Sequence, residues 1–122
     1  MSNKFFKEFQ GFNPDELVAY SNDPMDVQNV NVDSDATIQR GMLLASPTFF
    51  GTYHLATAAD VGNVLRIARD DFTADSDCHV TQVYSSGRFH REKIITADSD
   101  TAPVELFESE LYRQNIRLTA LK

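Results

Sequence analysis

The sequence has no tryptophan, one cysteine and few residues that interrupt regular structure, with 5 glycines and 4 prolines among 122 residues. A single cysteine excludes a disulfide within the chain and is typical of a reducing compartment. The low glycine and proline content, together with 42% hydrophobic residues, argues against disorder of the whole chain. We therefore expect one folded domain with a single hydrophobic core.

Long apolar runs and an excess of basic residues are also missing. No stretch approaches the ~20 apolar residues of a membrane span, and the first ten residues, MSNKFFKEFQ, lack the apolar region of a signal peptide. The net charge of −7 argues against a nucleic-acid partner, which usually requires a basic surface. We expect a soluble protein of intracellular origin that binds neither membrane nor nucleic acid.

Recognisable catalytic and metal-binding spacings are absent. His54, His79 and His90 form no HxxxH or HExxH pattern, and the acidic residues around Asp75 do not fit a calcium-binding EF-hand loop. On a strand, the adjacent Cys78 and His79 would point to opposite faces, so one metal ion would not easily bind both. We predict no catalytic residue, metal or cofactor and hence no enzyme. A small enzyme or metal protein that uses Cys78 and His79 stays as an alternative.

The first 36 residues differ in character from the rest. They hold seven acidic residues and two lysines, a net charge of −5, whereas the remaining 86 residues carry −2. Asn13 and Pro14 predict the start of a short helix through about Tyr20. The segment DVQNVNV has the alternation of an edge strand, or of an arm that becomes a strand when it docks. We predict an N-terminal arm over residues 1–36 and a β-rich domain over residues 37–122.

Short strands dominate the pattern from Ile38 onward. A buried strand is predicted over residues 38–44, and short strands are predicted around residues 53–55 and in VLRIA at 64–68. A helix through residues 58–69 is the alternative, although Gly62 and Asn63 disfavour it. CHVTQVYSSGRFHREKII then predicts a hairpin: a strand over 80–84, a turn at Ser85, Ser86 and Gly87, and a return strand over 88–95.

A helix near the C-terminus is the clearest single element. Thr101 and Pro103 predict its start, and Val104, Phe107 and Leu111 recur on one face. Asn115 is suited to a left-handed residue after the helix, and IRLTALK predicts a closing strand. The fold class we predict is mainly β with one short C-terminal helix.

Residues 64–94 resemble the head decoration proteins of lambda-like tailed bacteriophages. The resemblance consists of an apolar strand (65–68), an acidic loop (70–77), the strand 80–84, the turn Ser86-Gly87-Arg88-Phe89 and a charged return segment (91–93). A following helix (103–114), a closing strand (116–121) and an upstream RGMLLA segment (40–45) extend it over residues 38–122. Residues 1–36 depart from the pattern, since they are longer and more patterned than the flexible arm of the smallest members.

The resemblance implies a β-tulip or β-clip-like domain that forms a homotrimer on the outside of the expanded phage head. There it would bind the major capsid protein at three-fold or quasi-three-fold positions and stabilise the shell against the pressure of packaged DNA. The protein would be made in the host cytoplasm and end in the virion.

These expectations single out two sets of residues. The arm would add a strand to the capsid protein through Val27, Val30 and Val32, and the candidates for the core or the trimer contact are Tyr84, Phe89, Phe107 and Leu111. The alternative is another small phage structural adaptor, a tail-tube or head–tail connector component.

Overall fold

The protein is mainly β with one short helix. The computed structural model describes residues 17–19, 25–98 and 100–119. Its nine strands are β1 (Val27–Val32), β2 (Thr37–Ile38), β3 (Leu43–Ser46), β4 (Thr52–Leu55), β5 (Val64–Ala68), β6 (Phe72–Thr73), β7 (Val80–Tyr84), β8 (Gly87–His90) and β9 (Ile116–Thr119). The helix α1 spans Val104–Arg113, and single 3₁₀ turns occupy Ala58–Asp60 and Arg91–Lys93.

Five of the strands close into a barrel in the order β1-β4-β3-β5-β7. The barrel is mostly antiparallel, and β7 closes it by pairing with β1 from Val27↔Tyr84 to Asn31↔Val80. Only the β1–β4 pair is parallel, with Val32 opposite Tyr53. Two further pairs lie outside this order: β2 with β6, and β8 with β9 in parallel register.

Side-chain alternation divides the apolar residues between two clusters. The barrel core receives side chains from all five barrel strands; its buried members are Val30, Val32, Ile38, Leu44, Tyr53, Ala68, Ala74 and Val83. The outer core lies between the barrel wall and the layer formed by α1, β8 and β9; its buried members are Leu17, Leu43, Ala45, Ala56, Leu65, Ile67, Tyr84, Phe89, Ala102, Phe107, Leu111 and Ile116. Because β3 and β5 contribute to both clusters, their sequences are nearly continuous apolar runs.

The predicted helix is confirmed, with Phe107 and Leu111 fully buried on its inner face. Pro103, rather than Thr101, is the N-cap residue. After the helix, Asn115 has a φ of 67°, the left-handed conformation expected of it. The predicted strands at 64–68 and 80–84 are confirmed as β5 and β7, and the closing strand is confirmed as β9 over its described residues.

The predicted hairpin over residues 80–95 is wrong. β7 pairs with β1 and β5, whereas β8 leaves the barrel after the turn at Ser85–Ser86 and pairs with β9. The return strand also ends at His90, where the 3₁₀ turn begins. A local turn signal predicts a change of direction, but the partner of β8 is set by the outer core, where Phe89 and Ile116 are both buried.

The predicted strand over residues 38–44 is divided into β2 and β3 by a turn at Gly41. Gly41 has a φ of 97°, and a Cβ atom there would lie 2.8 Å from the carbonyl oxygen of Lys93. Both observations require glycine. In the predicted N-terminal helix, residues 13–16 and 20 lie outside the described residues, but residues 17–19 are not helical. Val18 forms an antiparallel bridge to Phe89 instead.

Candidate binding surface

Two exposed phenylalanines occupy the tip of the connection between β3 and β4. Phe50 is 95% exposed and Phe49 is 59% exposed. We call residues 47–51, with the sequence PTFFG, the aromatic loop. An aromatic ring left almost fully in water has no stabilising role in the fold, and contiguous exposed apolar surface is typical of interaction sites.

Hydrogen bonds hold the aromatic loop in one conformation. The Thr48 amide donates to the Ser46 hydroxyl at 3.3 Å, and the Gly51 amide donates to the Thr48 carbonyl at 3.4 Å. The Tyr53 hydroxyl, at the edge of the barrel core, donates to the Phe49 carbonyl at 3.1 Å. The loop therefore presents its aromatic rings from a rigid base, which lowers the entropy cost of binding.

Arg66 lies next to the loop and is the most unusual charged residue of the barrel. It stands on β5 between Leu65 and Ile67, so its side chain leaves the strand on the opposite side from these two. The residue is only 7% exposed, and its guanidinium lies 5.6 Å from the centre of the Phe49 ring. Burial lowers the pKa of Arg66, with the Coulombic influence of Tyr53 acting in the opposite direction. The guanidinium nevertheless stays charged at every ordinary pH.

The partners of Arg66 are neutral oxygen atoms. Its Nε donates to Gln28 Oε1 at 3.0 Å, and its Nη1 donates to the Leu65 carbonyl at 2.7 Å and to Gln114 Oε1 at 3.3 Å. Gln114 also accepts the Leu65 amide, which ties the end of α1 to β5. These contacts satisfy hydrogen-bond donors but supply no negative charge.

An open groove of about 560 Å³ passes over Arg66. It is bounded by the start of β1, the turn before β5, the turn between β7 and β8, the end of α1 and the Phe49 ring. We call this feature the Arg66 groove. Its rim carries charges of both signs, Asp26 and Arg113, and Arg113 is paired with Glu110 at 2.8 Å.

A second buried charge lies in the turn that follows β4. Asp60 is 4% exposed and accepts hydrogen bonds from the Thr57 amide at 2.8 Å, from the Thr57 hydroxyl at 3.1 Å and from Asn63 Nδ2 at 2.9 Å. His54 Nε2 lies 2.9 Å from the same carboxylate. Burial is the largest single influence and opposes ionisation, but the hydrogen bonds from Thr57 and His54 outweigh it and hold the pKa of Asp60 below its usual value. The cluster fixes the turn.

The acidic loop before β7 is organised as a turn. Asp75 Oδ1 accepts hydrogen bonds from the amides of Asp77 at 2.9 Å and Cys78 at 2.7 Å, and the Asp75 amide donates to the Cys78 carbonyl. Cys78 is exposed, and both it and His79 precede β7 rather than lying on it. Within residues 17–19, 25–98 and 100–119, no group of three or more His, Cys, Asp or Glu side chains is arranged to hold a metal ion.

The predicted capsid-binding valines lie on β1, inside the barrel. Val30 and Val32 are 4% and 2% exposed and belong to the barrel core, so in the single chain their side chains face the barrel interior and not a partner. One edge of β1 pairs with β7 from Val27 to Asn31, and the other edge pairs with β4 at Asn31 and Val32. Only Val27, which is 44% exposed, presents a side chain outward. A boundary after residue 36 would therefore separate β1 from the barrel it completes.

The four residues predicted for the core or the trimer contact all lie in the outer core. Phe89, Phe107 and Leu111 are fully buried, and Tyr84 is 7% exposed. The rings of Tyr84 and Phe89 meet at 5.1 Å between centroids. In the single chain these four side chains are already buried, and they pack β7, β8 and α1 together.

Arg66 and the aromatic loop were not among the predicted site residues. The FF pair beside Pro47 and Gly51 is a usable signal, because two aromatic residues in a turn have no strand face to pack on. Arg66 within VLRIA is a second signal, since a charge inside a buried apolar run requires partners from elsewhere. Those partners, Gln28 and Gln114, are 38 and 48 residues away in the sequence, which no local pattern reveals.

No protein-family model matches this chain, and a search of curated proteins finds no significant similarity. Among the described residues, no helix is long and apolar enough to cross a membrane.

Proposed function

We propose that this protein is a capsid decoration protein of a tailed bacteriophage, a structural binding protein rather than an enzyme. It attaches to the outer surface of the expanded head at three-fold or quasi-three-fold positions and stabilises the shell against internal DNA pressure. The sequence resemblance over residues 38–122 supports the partner, and a mainly β domain with one helix is compatible with it. The β-tulip or β-clip assignment, the homotrimer, the arm and the location in the virion belong to the same proposal.

One observation carries the binding role: Phe50 is 95% exposed on a hydrogen-bonded turn. Burying one such ring against a partner contributes about 1.5–3 kcal/mol. Aromatic side chains on rigid supports are typical centres of protein interfaces. A trimer presents three copies of the loop at once, so a moderate affinity at each loop becomes a strong attachment to a lattice.

Strand addition to the capsid protein belongs to the proposed arm over residues 1–36, although β1, within that range, is already paired inside the barrel. Residues 1–16 and 20–24 of the arm lie outside the described residues. The aromatic loop is then the contact made by the folded domain. Val27, with its exposed side chain, remains a candidate contact in that arm.

Attachment of purified protein to expanded, undecorated heads tests the proposal. We expect density at three-fold positions in electron micrographs for the wild type, and binding at least about tenfold weaker for Phe50→Ala. Tyr112→Ala is the matched control, because Tyr112 is another aromatic residue with 61% exposure but lies on α1. Heads that gain no density with the wild-type protein would refute the proposal. Rings of hexamers or dodecamers by native mass spectrometry would favour the tail-tube or connector alternative.

A further inference from the structure

The Arg66 groove contains a buried cation whose charge no residue compensates. Arg66 forms no ion pair with any residue that the structure describes. A guanidinium has five N–H donors, and the three contacts above engage only Nε and Nη1. Every buried side-chain nitrogen and oxygen in the described chain has a hydrogen-bond partner. Nη2, which has none, therefore reaches the solvent of the groove.

The acidic groups on the rim of the groove and beside it form no ion pair with Arg66. Asp26 lies on the rim, but its carboxylate is oriented toward the Ser86 hydroxyl, at 3.4 Å. Glu110 is paired with Arg113. In a chain of net charge −7, an arginine that is 93% buried among neutral oxygens is the exception, because buried cations are normally paired with a carboxylate.

The groove opens beside the aromatic loop, since the Phe49 ring stands over the guanidinium of Arg66. Phe49 lines the groove and also belongs to the aromatic loop, so a partner that covers the loop and the Phe49 ring would also cover this side of the groove and reduce the access of water to Nη2. Closing it without an anion would leave an uncompensated charge in a drier site, which is unfavourable, whereas a carboxylate would form a charge-assisted hydrogen bond there. The loop and the groove thus select for an apolar surface with an acidic group next to it.

We propose that the Arg66 groove receives a carboxylate of the protein to which the aromatic loop binds, an Asp or Glu side chain or a C-terminus. This inference rests on the proposed function for the identity of the partner only. Asp26 on the rim disfavours a phosphate dianion, because two negative charges are repelled more strongly than one. The carboxylate fixes the orientation of the partner, and the aromatic rings supply apolar contact area.

Acetate is the probe for the first experiment, followed through the backbone amide signals of the groove by NMR. We expect saturable shifts at Leu65, Gln28 and Asn115 with millimolar acetate, and none with sodium chloride at the same ionic strength. Replacing Arg66 would also remove its three hydrogen bonds, so the test variant is Gln28→Glu. It places a carboxylate where Gln28 Oε1 now lies 3.0 Å from Nε. The acetate response should then be lost and the thermal midpoint should not fall.

Gln82→Glu is the matched control, since Gln82 also bonds an arginine, the Arg69 side chain, but at an exposed position on β7. It should respond to acetate like the wild type. No saturable response in the wild type, or an undiminished response in Gln28→Glu, would overturn the carboxylate site.

Binding to undecorated heads separates this inference from the proposed function. We expect Gln28→Glu to attach at least about tenfold more weakly than Gln82→Glu, because the introduced carboxylate at position 28 pairs with Arg66 in place of the partner's carboxylate. If Gln28→Glu attaches as well as the wild type while Phe50→Ala does not, the carboxylate inference is wrong and the decoration role stands. If acetate binds but neither the wild type nor any variant attaches to heads, the head is the wrong partner and the carboxylate site stands.

Discussion

Two pairs of phenylalanines show how differently one residue type is used in this molecule. Phe89 and Phe107 are fully buried between the barrel wall and α1, whereas Phe49 and Phe50 lie exposed at the tip of the aromatic loop. The first pair belongs to the layer that faces the barrel wall across the outer core, and the second belongs to a turn at the surface. Hydrophobicity alone does not distinguish the pairs. The difference lies in whether a second layer covers them.

The buried pair should carry the largest stability effect. Phe89→Ala removes a ring that contacts Tyr84 and bridges β8 to the barrel wall, so we expect a loss of about 3–5 kcal/mol of unfolding free energy. Urea unfolding followed by circular dichroism measures it. The urea concentration at the unfolding midpoint should fall, while the m-value, the slope of the unfolding free energy against urea concentration, should stay constant. A loss below about 1 kcal/mol would mean that the outer core does not depend on this ring.

The same contrast explains how much of the fold the sequence predicts. The helix was predictable because Val104, Phe107 and Leu111 follow a 3.6-residue period between a proline and a left-handed asparagine. The strands β5 and β7 were predictable from short apolar or alternating runs. These signals are local. They predict the elements correctly because the apolar faces that the patterns define are the faces that the structure buries.

Strand partners were less predictable, because they depend on distant segments. The turn at Ser85–Ser86 favours a hairpin, yet β8 pairs with β9, which begins 29 residues after Gly87. The sequence predicts that β1 belongs to an arm, because residues 1–36 differ in charge from the rest and DVQNVNV has the pattern of an edge strand, although Val30 and Val32 also alternate as an inward-facing strand requires. For the site, the exposed aromatic residues were visible in the sequence, but the buried state of Arg66 was not.

The second prediction concerns the turn that supports β4, the strand leading away from the aromatic loop. Because the pKa of Asp60 is held below its usual value in the folded protein, its stabilising effect is present above the unfolded pKa of ~3.9. That effect is lost as the pH falls through the folded value. Thermal midpoints of the wild type should fall between pH 7 and pH 2. The part of this fall that comes from protonation of Asp60 should be absent in Asp60→Asn.

At pH 7 we expect Asp60→Asn to cost about 1–3 kcal/mol, since a buried hydrogen-bond network loses its acceptor charge. Asp35→Asn is the control, because it removes the same charge from an exposed residue, and its effect should stay within about 0.5 kcal/mol. Equal pH profiles for Asp60→Asn and the wild type would show that the Asp60 network does not contribute to acid sensitivity.

The smallest stability effect belongs to the exposed pair and makes the contrast sharpest. Phe50→Ala should change the unfolding free energy by no more than about 0.5 kcal/mol, because a ring that is 95% exposed loses almost no burial on truncation. Phe49→Ala should cost slightly more, about 0.5–1 kcal/mol, since it removes the ring that stands over the Arg66 guanidinium. Differential scanning calorimetry of both variants beside Phe89→Ala gives the three values in one experiment. A large loss for Phe50→Ala would mean that the ring is covered within the assembly that the protein forms in solution, and the aromatic loop would then be a contact between copies of this chain rather than with a shell protein.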